Sequence, residues 1–161
     1  MIVLNSVLVA FDFSDTSKHA LTYGRNLARA FGGRLHVFHV ADVISTSAAQ
    51  FFPEGPGYPE AKARQLALVQ IHDVLTAEGI DIATPEVRVS PDAAGAIVEY
   101  AKEVHADIIV VGTHGRSGVS RLLMGSVAEH VVRTAPCPVL VVRPQEHEFV
   151  LPEPVTLAAR I

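Results

Sequence analysis

Apolar runs of strand length alternate with helix-period segments along most of the chain. Residues 3–11 are rich in β-branched Val and read as a buried strand. Ser14, Asp15 and Ser17 then offer capping oxygens, and Ala20, Gly24, Leu27, Ala28 and Phe31 recur at helical spacing until Gly32-Gly33 stops the helix. Residues 35–40 form a second strand pattern. Residues 41–59 are dense in Pro, Gly and Ser and predict an irregular loop. A helix over 60–78 places Leu68, Ile71 and Leu75 on one face and ends at Gly79, and residues 85–89 form a short third strand. Ser90-Pro91 predicts a cap with proline at the first helical position, ahead of a stripe of Ala94, Ile97, Val98, Ala101 and Val104. Residues 107–112 are an almost wholly apolar strand ending on glycine. Ala128, Val131, Val132 and Ala135 mark a fourth helix, and residues 138–143 the last strand.

Strands apolar on both faces and separated by helices predict a parallel sheet covered on both sides. Five strands cannot close an eight-stranded barrel, so the expected fold is α/β: an open, doubly wound, five-stranded Rossmann-like sheet. In such sheets ligands collect at the C-terminal strand ends where the strand order reverses. The chain divides into a domain over residues 1–143 and a C-terminal arm over 144–161, whose three prolines exclude a central strand.

Composition narrows the function. At 161 residues, 49% of them apolar, the chain suits one self-sufficient domain. A net charge of −4 argues against a general nucleic-acid binder. No apolar run approaches the roughly 20 residues that span a bilayer, and the N-terminal segment lacks a basic leader, so a cytoplasmic protein without membrane insertion is expected. The single cysteine, Cys137, lies between two prolines and reads as a small half-buried side chain in a reducing compartment. His36 and His39, three apart on a strand, fall on opposite faces and cannot share a metal ion, and no metal site is expected.

The informative segment runs from Gly112 through Gly115 and Gly118 to Gly125-Ser126, from the end of a buried strand to the start of a helix. Glycines there let main-chain N–H groups approach a phosphate, and the helix start adds free N–H donors. Ser126 adds a hydroxyl, and Arg116 and Arg121 could add charge. The residues alone leave a second reading open, a loop that needs glycine only to turn. No P-loop sequence is present, and the first strand–helix turn, residues 10–15, has no glycine for a dinucleotide fingerprint. Asp12 reads equally as a helix-entry acid. His114 reads as a hydrogen-bond donor more readily than as a base, since no nucleophile accompanies it.

Gly112, two residues, Gly115, nine residues, then Gly125-Ser126 resembles the ATP-binding pattern of the universal stress protein family. The resemblance extends over residues 1–143 and includes Asp12 at the first strand end and the segment 136–143. It implies a site in which Asp12 sits at the ribose or metal end, with Ala10 and Phe11 lining the pocket. Val40 would meet adenine through its main chain, and Gly112 and Gly115 would flank ribose and phosphates. Gly125, Ser126, Val127 and Ala128 would hold the phosphate tail, with His114 and Arg116 of the loop counted among the nucleotide-binding residues. Phe11 is bulkier than the residue the family often has there. The implied cofactor is ATP, with Mg2+ optional, and the implied function a regulatory stress-response protein. No paired carboxylates, oriented base or lysine near the glycine loop suggest cleavage, so no catalytic residue is assigned. A slow ATPase or nucleotidyl-transferring enzyme is one alternative, and an interaction module without nucleotide is another. The apolar last strand, at an open sheet edge, predicts a homodimer, and the apolar residues of the arm predict a higher-order contact.

Overall fold

The structure, a computed structural model, describes residues 1–41, 58–113 and 124–143. The irregular loop expected after residue 41, most of the glycine loop and the C-terminal arm lie outside the described residues.

The elements are β1 (Ser6–Ala10), α1 (Asp15–Phe31), β2 (Arg34–Ala41), α2 (Tyr58–Ala77), β3 (Ala83–Val89), α3 (Ala93–Glu103), β4 (Ile108–Gly112), α4 (Ser126–Thr134) and β5 (Val139–Val142). The five strands form one parallel sheet in the order β3-β2-β1-β4-β5. Chain order therefore runs outward from β1 to β3, then returns across β1 to β4 and β5. The reversal falls between β1 and β4.

Period-two alternation divides the core into two layers. Val7, Val9, Leu35, Val37 and Val110 face α1 and α2, whose Ala20, Leu21, Ala28, Ile71 and Leu75 complete one cluster. Leu8, Ala10, Phe38, Ile109 and Val111 face α3 and α4, with Ile97, Tyr100, Ala101, Ala128 and Val131. This is the doubly wound sheet that the sequence predicts.

Local signals explain most boundaries. Ser14 caps α1, its hydroxyl accepting from the Ser17 N–H, and Gly32 ends the helix with φ 66°, a conformation that favours glycine. Gly24 lets α1 lie close against the sheet, since a Cβ there would stand 2.2 Å from Val9 Cγ2. Three expectations need correction. β1 begins at Ser6, and Met1, Ile2 and Val3 are exposed. The cap of α3 is Asp92, whose carboxylate accepts from the Gly95 N–H, while Ser90 only braces Asp92. Phe31 and Val132, assigned to buried stripes, are exposed on the outer sides of their helices.

Candidate functional site

At the C-terminal ends of β1 and β4 the sheet opens into a cavity of about 360 Å³, within the roughly 300–1,000 Å³ usual for small-molecule sites. Adjacent strands there send their connections to opposite faces of the sheet, and this separation leaves the crevice. Ala10, Phe11, Asp12, Val40, Gly112, Gly125, Ser126, Val127 and Ala128, all named from the sequence, line it together. His114, Gly115 and Arg116 lie outside the described residues.

The floor is the turn from β1 to α1. The Phe11 N–H donates to the Phe38 carbonyl at 2.8 Å, which carries the β1–β2 ladder one residue further. The Asp12 carboxylate accepts from the Ser14 N–H at 3.0 Å and from the Ser14 hydroxyl, while its own N–H donates to Ser17 Oγ at 3.3 Å. Asp12 therefore organises the helix entry and also lines the cavity. Phe13 has φ 68°, an unusual conformation for a bulky residue. Its ring packs edge-on against Phe11 and His39, with centroids 5.0 and 4.8 Å away.

The far wall is the start of α4. Gly125 occupies the cap position with no side-chain hydrogen bond, and its N–H donates to the Thr113 carbonyl at 2.7 Å. The Thr113 N–H in turn donates to the Val142 carbonyl, so β5, the end of β4 and the start of α4 are pinned together. The first intrahelical bond runs from Glu129 N–H to Gly125 O, which leaves the N–H groups of Ser126, Val127 and Ala128 without intrahelical acceptors. Gly112 has a packing reason for being glycine. A Cβ there would lie 3.0 Å from Thr16 Cβ and 3.3 Å from Ser17 N, because β4 ends against the first turn of α1.

The side wall escaped sequence reasoning. Phe38, His39, Ala93, Ile97, Val111, Thr113 and Ser17 also line the cavity. His39 is buried, with Nδ1 2.7 Å from the Phe11 carbonyl. His36 and His39 do face opposite sides: His36 meets Tyr100 of α3, and His39 meets Phe13. Adjacency to Val40 was the available signal for Phe38 and His39. Ala93 and Ile97 reach the cavity because α3 starts beside it, which no local pattern announces. Asp12 is the one carboxylate among the described lining residues, and no cluster of three or more metal-ligating side chains occurs among the described residues. Burial, reinforced by Asp107, pushes the Cys137 thiol up, so this side chain stays protonated.

Residues 4–143 match the family model described as the universal stress protein family. The universal stress protein MJ0531 of Methanocaldococcus jannaschii is 33% identical over 144 residues, covering 88% of this chain and 84% of that protein. The solved structure of the hypothetical protein MJ0577 superposes with a TM-score of 0.74 at 24% identity, covering 91% of this chain and all of that one. A universal stress protein solved in complex with cAMP gives a TM-score of 0.60 at 27% identity, covering 88% of this chain and 98% of that one.

Proposed function

Because the chain belongs to the universal stress protein family, we propose that this stress-response protein holds ATP in the switch-point cavity as a signal or structural ligand. The observation that carries this reading is the uncapped start of α4. α1 and α3 reach the cavity with side-chain caps from Ser14 and Asp92, whereas α4 begins at Gly125 with none. The N–H groups of Ser126, Val127 and Ala128 are donors in need of an acceptor at the positive end of a helix, where a phosphate is favoured. That a universal stress protein of this fold has been solved in complex with cAMP adds support for a nucleotide as the ligand.

In this reading the Ser126–Ala128 N–H groups and the Ser126 hydroxyl hold the phosphates, helped by His114, Gly115 and Arg116 of the glycine loop. Asp12 takes the ribose or, through water, a phosphate-bound Mg2+; one carboxylate plus phosphate oxygens suits that ion's preference for keeping its water shell. Val40 meets the base. With one carboxylate and no lysine among the described lining residues, the residues favour holding over hydrolysis. The same reading makes the protein a cytoplasmic homodimer joined through β5, with the arm over 144–161 adding a further contact.

Calorimetry with ATP, AMP and a Gly125→Asp variant is the test. ATP should bind the wild type more tightly than AMP, and Gly125→Asp should abolish binding while nucleotide-free thermal stability changes little. Equal ATP affinity in wild type and Gly125→Asp overturns the site. Equal affinity for ATP and AMP moves recognition from the phosphates to the base pocket around Val40.

A further inference from the structure

Behind the cavity wall lies a buried polar cluster with no role in holding nucleotide. His36 is 7% exposed, and its Nε2 is buried without a hydrogen-bond partner. Its Nδ1 stands 3.4 Å from the Tyr100 hydroxyl, a long contact at the limit of a hydrogen bond. His36 and Phe38 are two apart on β2 and so share the face that α3 covers. Phe38 stacks on Tyr100, with centroids 4.5 Å apart and planes 16° apart, and lines the cavity itself. Over the outer side of this stack sits the Arg88 guanidinium, 5.2 Å from the Tyr100 centroid and 5.8 Å from that of Phe38, gripped by Glu103.

We propose that the cavity is under proton control from behind: protonation of His36 loosens α3 from β2, and with it the wall that Phe38, Ala93 and Ile97 give the cavity. The neutral ring tolerates an unpartnered nitrogen, but an imidazolium buried there needs either an anion or water. The charged groups around it do not supply the anion. Arg34, on its own strand, opposes a second positive charge. From β3 come Arg88, also positive and already paired, and Glu86, which is paired with Arg64. From α3 come Tyr100, whose phenol burial keeps protonated, and Glu103, engaged by Arg88. β1 places Leu8 opposite. The Tyr100 ring of α3 packs edge-on against the His36 ring, with centroids 6.0 Å apart, so lifting α3 uncovers the ring and lets water hydrate the charge. The same helix carries Ala93 and Ile97 into the cavity. Burial, with Arg34 adding to it, pushes His36 below its ordinary range, so the transition lies on the acid side of neutrality.

The inference rests on the nucleotide-binding reading for its effect on affinity, but the movement of α3 does not. Two measurements separate them, each on the full chain as wild type, His36→Gln and His36→Leu, the second variant standing in if the first does not fold. The first is amide hydrogen exchange of the nucleotide-free protein at pH 7.5 and 5.0, corrected for the intrinsic pH dependence of exchange. The wild type should lose protection across α3 at pH 5.0, and the variants should not. Equal corrected protection in wild type and variants overturns the proposal, whatever the nucleotide does. The second is ATP affinity at the same two pH values; protonation of ATP itself cancels when wild type and variant are compared. Each unit of difference in His36 pKa between bound and free protein is a tenfold factor. We expect the wild type to lose about threefold to tenfold more affinity than the variants on acidification. Parallel profiles overturn the coupling. Absence of ATP binding at pH 7.5 in every protein overturns the nucleotide reading and the coupling with it, and leaves the exchange result to decide the movement of α3.

Discussion

At Gly24 and Gly112 a single missing methyl group sets how closely α1 approaches the sheet. A Cβ on Gly24 would lie 2.2 Å from Val9 Cγ2 inside the core. Gly24→Ala would gain about 1 kcal/mol of helix propensity but overpack a buried contact at a cost of about 1–3 kcal/mol. We expect net destabilisation, read as a lower urea midpoint at unchanged slope. Gly112→Ala presses on backbone of the α1 first turn, which cannot rotate aside as a side chain can. It should lower stability and also disturb Asp12 and Ser14, so that ATP affinity falls even though the methyl group need not touch the ligand. If Ser126 holds a phosphate as proposed, Ser126→Ala should remove one hydrogen bond to a charged acceptor, about 1.5–3 kcal/mol, or roughly tenfold to a hundredfold in ATP affinity by calorimetry. These cases show what was legible. The positions of Gly112, Gly125 and Ser126 could be read directly from their spacing, because glycine is informative wherever it recurs at a strand end and helix start. The packing reason for Gly112 could not, since Thr16 and Ser17 are distant in sequence. Phe38 and His39 were missed for the same cause: a strand residue's neighbours across the sheet and its cavity are set by tertiary arrangement.

Among elements, α3 ties the fold to the site most directly. It starts beside the cavity, caps on Asp92 and buries Ile97, Tyr100 and Ala101. The sequence suggested Ser90 as its cap because Ser-Pro fits a helix start. Asp92 wins because its carboxylate reaches the Gly95 N–H at 2.9 Å, while the Ser90 hydroxyl is occupied with the Asp92 main chain. Asp92→Ala should cost about 1 kcal/mol and lower the thermal midpoint by a few degrees. His36 links the same helix to pH. Its folded-state pKa lies below the unfolded value, so the unfolded chain binds more protons through that interval. The stability this group contributes is fully present above about pH 6.5. It is lost as pH falls below that value and levels off once the folded-state pKa is passed. Chemical denaturation between pH 7.5 and 5 should show a larger loss in wild type than in His36→Leu; identical losses would mean that His36 binds protons equally in the folded and unfolded states. The helices themselves were legible from their periods. Their ends were less so: Phe31 and Val132 satisfied the spacing but lie on the outward flank of their stripes, a distinction of under half a turn that periodicity does not resolve.

For the whole molecule, the unequal treatment of the two sheet edges bears on association. The outer strand β3 is guarded: Arg64 of α2 donates to the Val87 carbonyl at 3.0 Å and pairs with Glu86 beside it. Such side-chain cover and charge discourage strand addition. β5 has an apolar sequence, VLVV, and its Val139, Leu140 and Val141 are only half-buried. The N–H groups of Ile109 in β4 and of Thr113 just beyond it donate to the carbonyls of Pro138 and Val142. By the period of two, the main-chain groups of residues 138, 140 and 142 point inward to β4, and those of Val139 and Val141 point outward. A second β5 in a two-fold arrangement would satisfy these outward groups and cover the half-exposed valines, each copy offering the same surface. Light scattering at tens of micromolar should therefore give a dimer mass. Val141→Pro deletes one outward N–H while leaving the ladder to β4 complete, and proline is tolerated on an edge strand in that orientation. It should shift the mass toward a monomer, with the far-ultraviolet circular dichroism retained. A monomeric wild type would refute the edge as an interface. A Val141→Pro variant still dimeric would move the interface off β5, with the arm over 144–161 the next segment to delete.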